Sequence, residues 1–248
     1  NKKVFMIFIN RLRIPKWRNI TVEMYQYINE INESDMDQVD KILFTMCFLT
    51  NRTEEQLDKI NMLSFANLQR QLKNRFELLN QQGKETKQIK KFKFNFDIRK
   101  VTLGQFIEVQ HFYKNNYMNN IHLIASSFAT CGKLTHVERA DKILKMSMLP
   151  ILYNVTKFLE IIKKLSDDYK GLFGIEDMEE EDLKPLSNSF NDQFGWIYSA
   201  KKIAEFEGIT LDQAFDLPII QAFNDLSYLK AHQEYESEIN KRNINAIN

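Results

Sequence analysis

Apolar side chains recur at helical spacing through most of this 248-residue chain. Between residues 36 and 47 they fall three or four positions apart, which places them along one face of an α-helix. That set is Met36, Val39, Ile42, Leu43, Met46 and Cys47. Glycine and proline, which interrupt helices, number only seven and four. The sequence therefore predicts a mainly α-helical fold, a bundle of several helices joined by short turns.

One segment departs from helical spacing. Residues 91–99 alternate strictly between polar and apolar side chains, which is typical of a half-buried β-strand. Its apolar positions are Phe92, Phe94, Phe96 and Ile98. A second extended segment near the N-terminus is rich in β-branched and aromatic residues, ends at Pro15, and offers residues 4–9 as a partner strand. We therefore expect at most one short β-hairpin on the helical body.

Helix starts are marked by threonines that are followed three residues later by Gln or Glu. This is the capping-box pattern, in which the two side chains bond the free amides of the first turn. It occurs at Thr53–Gln56, Thr102–Gln105, Thr135–Glu138 and Thr210–Gln213.

An internal echo places an aliphatic residue, a threonine and an apolar residue at three sites, around Thr21, Thr102 and Thr210. Two interpretations stay open. The echo reflects either three independent helix starts or the duplication of a helical unit. Duplication would give two pseudo-repeated helical halves, separated by the polar linker at residues 81–90.

These patterns divide the chain into consecutive segments. They are an extended basic arm (1–18), an N-terminal helical subdomain (19–82), a central helical subdomain with a short leading strand (91–166), an acidic loop (167–189) and a C-terminal helical segment (190–240).

Charge is balanced overall but uneven along the chain. The net charge of +1 gives no global attraction to nucleic acid or to an anionic membrane. The arm at 1–18 is basic, and residues 176–182 form an acidic block. These patches are either solvated surface or complementary surfaces for head-to-tail contacts or for a charged partner.

Patterns that carry chemistry are absent from the sequence. No zinc-ligand motif, phosphate-binding loop or nucleophile elbow is present, so we expect no metal, no cofactor and no enzymatic activity. Cys131 lies close to His136 in sequence, but no third group is placed to orient the histidine. The two cysteines are expected to be reduced. The longest early apolar run, residues 4–9, is too short to span a membrane.

Nucleic-acid binding is disfavoured for a local reason. Lysines and arginines surround the phenylalanines of residues 91–99, as in single-strand binding surfaces. The strict alternation, however, turns the phenylalanines toward the buried face, away from any base.

Protein binding is the remaining class. We expect the contact residues in the basic arm and among the aromatic residues of the C-terminal segment. The candidates are Phe5, Ile7, Arg11, Arg13, Trp17, Arg18, Trp196 and Tyr228.

Several segments together resemble the tail assembly chaperones of tailed bacteriophages, which are helical proteins encoded near the tape-measure protein. The first set is Ile20-Thr21-Val22-Glu23-Met24-Tyr25-Gln26-Tyr27-Ile28 with residues 42–46 and 51–57. The second is residues 98–110 with 120–125, and the third is Gly208-Ile209-Thr210-Leu211-Asp212-Gln213 with residues 217–218 and 226–231. The resemblance covers about two thirds of the chain, and its motifs are mainly helix caps followed by amphipathic runs.

The resemblance implies a non-enzymatic protein of the bacterial host cytoplasm that binds tape-measure or tail-tube protein and covers its apolar helices until assembly. The alternatives are a structural virion component (a connector, ring or packaged cargo protein), which the extended arm favours, and a nucleic-acid-binding regulator. Self-association is compatible with each of them.

Overall fold

The computed structural model describes residues 13–77, 87–172 and 188–247. Helices make up most of these ranges, so the prediction of a mainly α-helical fold with a short β element is confirmed. The helices are α1 (Val22–Glu33), α2 (Gln38–Thr50), α3 (Glu54–Asp58), α4 (Met62–Glu77), α5 (Leu103–Lys114), α6 (Ile121–Ser127), α7 (His136–Leu144), α8 (Met148–Asp168), α9 (Asn188–Glu207), α10 (Leu211–Asp216) and α11 (Ile219–Ile247).

The sheet has three short antiparallel strands rather than one hairpin. They are β1 (Gln88–Ile89), β2 (Phe92–Phe94) and β3 (Ala129–Thr130), in the order β1-β2-β3. β2 places Phe92 and Phe94 on its buried face, as the alternation predicted. The strand ends there, because a short 3-10 helix at Ile98–Lys100 follows, and the Asp97 side chain accepts a hydrogen bond from the Arg99 amide at its start. The proposed partner strand at 4–9 lies outside the described residues.

The predicted capping boxes are confirmed. At Thr53, Thr135 and Thr210 the hydroxyl accepts from the backbone amide three residues later, and that residue's side chain accepts from the threonine amide. Thr102 and Gln105 make the same two bonds, at 3.2 and 3.0 Å. Each box satisfies two of the amides that a helix leaves free at its first turn.

The contacts of the chain group it into two compact units, each built from two separate stretches. Unit 1 comprises residues 1–94 and 112–156, and unit 2 comprises residues 95–111 and 157–248. The sequence had divided the chain into consecutive segments with a linker at 81–90. The grouping differs because α5 and α8 each run from one unit into the other.

Unit 1 is centred on fully buried aliphatic residues of α1, α6, α7 and the start of α8. They include Ile28, Ile121, Ile124, Ile143 and Ile151. Trp17 belongs to this core, since it is 7% exposed and packs against Tyr25 with their ring centroids 6.1 Å apart.

Unit 2 is centred on an aromatic cluster. The ring of Phe223 on α11 lies 5.1 Å from that of Phe106 and 5.2 Å from that of Tyr169, both edge to face. Trp196 on α9 packs edge to face against Phe106 at 5.2 Å. Because edge-to-face pairs are favoured by the ring quadrupoles, the cluster fixes how α5, α9 and α11 pack.

Both units contain the same backbone arrangement at the helix that a threonine opens. In unit 1, Thr21 forms an isolated antiparallel bridge with Ser147, through bonds from the Val22 amide to Met146 and from the Met148 amide to Ile20. Each bond gives a partner to an amide near the start of a helix, where intrahelical partners are lacking.

Unit 2 repeats this arrangement at Thr102, the second threonine of the sequence echo. Thr102 bridges Pro218, the Leu103 amide donates to Leu217, and the Ile219 amide donates to Val101. Thr210, the third copy of the sequence echo, instead caps α10 as Thr135 caps α7. The first two copies of the echo therefore share one backbone geometry, and the third has another.

The two tryptophans of the chain fall one in each unit, Trp17 in unit 1 and Trp196 in unit 2. Replacing either by phenylalanine leaves a single indole, whose fluorescence reports the unfolding of one unit.

Candidate protein-binding site

A groove opens in unit 1 between α2 and α4, and we call it the α2–α4 groove. It encloses about 600 Å³. Ile42 and Thr45 line it from α2, and Ala66 and Leu72 line it from α4. The lining residues span positions 38–45 on α2 and 66–73 on α4. At a rise of 1.5 Å per residue, each wall is about two helical turns long. Apolar side chains make up its floor, so water in it is readily displaced by an apolar partner.

The α2–α4 groove exists because α2 carries apolar residues on more than one face. The sequence placed Val39 and Ile42 on a single buried stripe with Met46. Met46 is fully buried, whereas Val39 is 72% exposed and Ile42 also faces solvent. At the start of α4, Met62 and Leu63 are 87% and 85% exposed. Large exposed apolar side chains on neighbouring helices are typical of a protein contact surface.

The charge around the groove is positive. Lys41 lies on the α2 wall, and Arg70 and Lys73 lie one turn apart on the α4 wall. The Lys41 ammonium donates to the carbonyl of Asn32 at 2.8 Å, and Arg70 donates to Asn67 at 3.2 Å. Its described lining residues include no carboxylate. An acidic partner would therefore be attracted to both walls.

None of the described residues that the sequence proposed for protein binding lines this groove. Phe5, Ile7 and Arg11 lie outside the described residues. Arg13 and Arg18 are exposed, whereas Trp17 is buried in unit 1 and does not contribute to its surface. The reason is local, since the short 3-10 helix at Trp17–Asn19 turns the indole toward Tyr25.

The two candidates in unit 2 differ in exposure. Trp196 is half-buried in the aromatic cluster with Phe106. Tyr228 is exposed on α11, where its ring lies 5.5 Å from Phe206 and 6.0 Å from the ring of His232. Tyr228 alone of this pair offers most of its ring to solvent.

Sequence reasoning missed the groove residues on α4. The available signal was the apolar spacing of residues 62–72, which marks α4 as an amphipathic helix. Nothing in that signal identifies α2 as the facing wall, because the pairing of α2 with α4 is a long-range contact.

Two serines of α6 contact a histidine of α7. The Ser126 hydroxyl lies 2.6 Å from Nε2 of His136, and the Ser127 hydroxyl lies 3.2 Å from it. Both hydroxyls also donate to the carbonyl of Leu123. Both serines are also buried, out of reach of a substrate. The sequence suggested Cys131 as the neighbour of His136, whereas in the structure two serine hydroxyls contact its Nε2.

A second histidine joins α1 to α6. The Gln26 side-chain amide donates to the carbonyl of Asn119 at 2.6 Å and lies 2.9 Å from Nδ1 of His122. A nitrogen that accepts from an amide group is unprotonated, so this contact selects the neutral ring. Burial lowers the pKa of His122 below its usual value, and His136 lowers it further, while Asp141 acts in the opposite direction.

We expect unit 1 to lose stability as the pH falls. The unfolded chain protonates His122 near its ordinary pKa of about 6.5. The folded chain resists protonation because the pKa is lowered, so the stability is fully present above that value and declines below it. Urea unfolding at pH 7.5 and 5.5, followed by Trp17 fluorescence, should show this decline. The decline should be smaller in His122→Gln, and an equal decline in both proteins would contradict the assignment.

Neither a metal cluster nor a membrane span is found in the described residues. Within 13–77, 87–172 and 188–247, no three His, Cys, Asp or Glu side chains are grouped to hold a metal ion. No helix of the same part of the chain is long and apolar enough to cross a bilayer.

Comparison of the chain with protein-family models, with curated proteins and with solved structures finds no match.

Proposed function

We propose that this chain is a non-enzymatic bacteriophage protein that acts in tail assembly by binding other proteins, as a chaperone for tape-measure or tail-tube protein. The α2–α4 groove is the surface that receives the client. The resemblance of its helix-start motifs to tail assembly chaperones supports the phage assignment, and the groove supports the mode of action.

The observation that carries the proposal is the apolar surface that α2 and α4 leave exposed. Val39 on α2, and Met62 and Leu63 at the start of α4, add exposed apolar side chains to the two helices that line the groove. Two helical walls with apolar residues between and beside them fit an amphipathic helix laid lengthwise, with its apolar face inward. Tape-measure proteins, in this proposal, supply such helices until the tail tube covers them.

The nucleic-acid alternative gains less support. Phe92 and Phe94 are buried at 3% and 6% exposure, so they are not available to stack on bases. The neighbouring Lys91 and Lys93 are exposed, and lysines alone give electrostatic attraction without a stacking platform.

The test is co-expression of the tagged chain with the tape-measure protein encoded beside it, followed by quantitative co-purification. The variant is Ile42→Ser, at an exposed lining position of the groove, with Leu63→Ser, at an exposed position at the start of α4. Removing two apolar contacts of about 1.5 kcal/mol or more each should reduce the captured tape-measure protein by at least about tenfold. The matched control, Tyr113→Ser with Val137→Ser, changes two exposed apolar residues elsewhere in unit 1 and should capture as the wild type does.

Equal capture by both variants would exclude the groove as the client site. Mass spectrometry of purified particles addresses the structural alternative. A chaperone is absent from them, whereas a connector, ring or cargo protein is present at a fixed copy number.

A further inference from the structure

The end of α11 is exposed to solvent. Residues 231–243 are exposed throughout, and among them Tyr235 is 63% exposed. We call this stretch the C-terminal extension. A single helix of this length is marginally stable in water, because packing of an apolar face supplies most helical stability.

The extension carries two large apolar side chains on one face, with carboxylates on both sides of that face. At about 100° per residue, Tyr235 and Ile239 lie about 40° apart on one face. Glu234 and Glu238 flank that face on one side, and Glu236 flanks it on the other. Two of these carboxylates make only long contacts on their own helix, Glu234 at 3.9 Å from Lys230 and Glu238 at 3.9 Å from Arg242. Such exposed pairs contribute little, so the carboxylates can exchange partners at low cost.

The α2–α4 groove carries the complementary pattern. An apolar floor lies between one cation on the α2 wall, Lys41, and two on the α4 wall, Arg70 and Lys73. The extension presents Tyr235 and Ile239 between one carboxylate on one side and two on the other, with His232 beside Ile239 and 3.7 Å from Glu236. Both patterns are about two helical turns long, because residues 232–239 and 66–73 each span about 10 Å at 1.5 Å per residue.

We propose that the C-terminal extension of one copy of this chain binds in the α2–α4 groove of a second copy. Tyr235 and Ile239 enter the groove, Glu236 faces Lys41, and Glu234 and Glu238 face Arg70 and Lys73. The inference uses the groove of the proposed function but does not depend on the identity of the client. The extension has the same chemistry as a client helix, so self-association and client binding compete.

The contact is heterologous, since two different surfaces meet. Each copy keeps one unused groove and one unused extension, so copies add head to tail until a ring closes or the concentration limits growth. A contact of two helical turns is small, which makes the association weak and reversible.

Sedimentation velocity of the full chain tests the proposal, from about 10 to about 500 µM, the range in which small interfaces associate. The wild type should sediment faster as concentration rises. A groove variant, Arg70→Glu with Lys73→Glu, and an extension variant, Glu234→Lys with Glu238→Lys, should each raise the dissociation constant by at least about tenfold, because like charges then meet. Mixing the two variants should restore association, since every groove then finds an extension of opposite charge.

Matched controls separate the site from net charge. Lys163→Glu with Lys164→Glu, and Glu160→Lys with Glu205→Lys, change the charge equally at exposed positions of unit 2 away from the extension. Both should associate as the wild type does. A monomeric wild type over the whole range, unaffected groove and extension variants, or a mixture that stays monomeric would each overturn the proposal.

The same variants distinguish this inference from the proposed function. Loss of self-association in the extension variant, with tape-measure capture retained, supports the inference whatever the client. Capture that depends on Ile42 and Leu63 in a chain that never self-associates overturns this inference alone. Self-association that depends on both charge patterns, without any tape-measure capture, overturns the proposed function alone.

Discussion

Replacing Phe223 by alanine is expected to lower the free energy of unfolding of unit 2 by about 3–5 kcal/mol, the range for truncating a buried aromatic residue. Phe223 is fully buried and is shared by two edge-to-face pairs, with Phe106 and with Tyr169. Its ring also stacks on that of Trp196, at 6.5 Å and 12°. The cavity left by the ring lies at the centre of the cluster, where rigid aromatic neighbours cannot collapse into it.

The measurement is urea unfolding followed by Trp196 fluorescence, in a Trp17→Phe background so that only unit 2 is reported. The matched control is Tyr228→Ala on the same helix, an exposed aromatic residue whose removal should cost less than about 1 kcal/mol. Similar losses for the two variants would contradict the placement of Phe223 at the centre of unit 2.

Replacing Ile143 by alanine is expected to destabilise unit 1 by about 2–5 kcal/mol, the usual range for a buried aliphatic residue. Ile143 is fully buried on α7, which packs against α6 and α1. α7 has only nine residues, so it depends on its buried face more than a long helix would. Truncation of that face removes both the transfer free energy and the packing contacts of the deleted methylenes.

Trp17 fluorescence in a Trp196→Phe background follows this loss, because Trp17 lies in the core of unit 1. Val137→Ala, at an exposed position of the same helix, should change stability by no more than about 0.5 kcal/mol. An Ile143→Ala variant as stable as Val137→Ala would show that α7 is not anchored through residue 143.

The elements that the sequence predicted well are those whose causes are local. A capping box closes within four residues, so Thr53, Thr135 and Thr210 could be assigned without knowledge of the rest of the chain. The buried side of Phe92 and Phe94 likewise follows from the two-residue period of a strand.

The third strand had no such signal. Ala129–Thr130 is two residues long and follows a helix, so no alternation marks it. It exists because the backbone of Phe94 and Lys93 offers it hydrogen-bonding partners 35 and 37 residues away in the chain. The burial of Trp17 could not be predicted for the same reason. A tryptophan in a basic arm is interpreted as a contact residue unless Tyr25 is known to lie beside it.

The amino-acid sequence by itself determined the helical class, the helix starts and the buried face of the strand, because each depends on residues within one or two turns. Only the tertiary structure decided the division into two interleaved units, the burial of Trp17 and the α2–α4 groove. These depend on which helices meet. That choice is made by the packing of apolar surfaces from distant stretches, and the period of a single helix does not encode its partner.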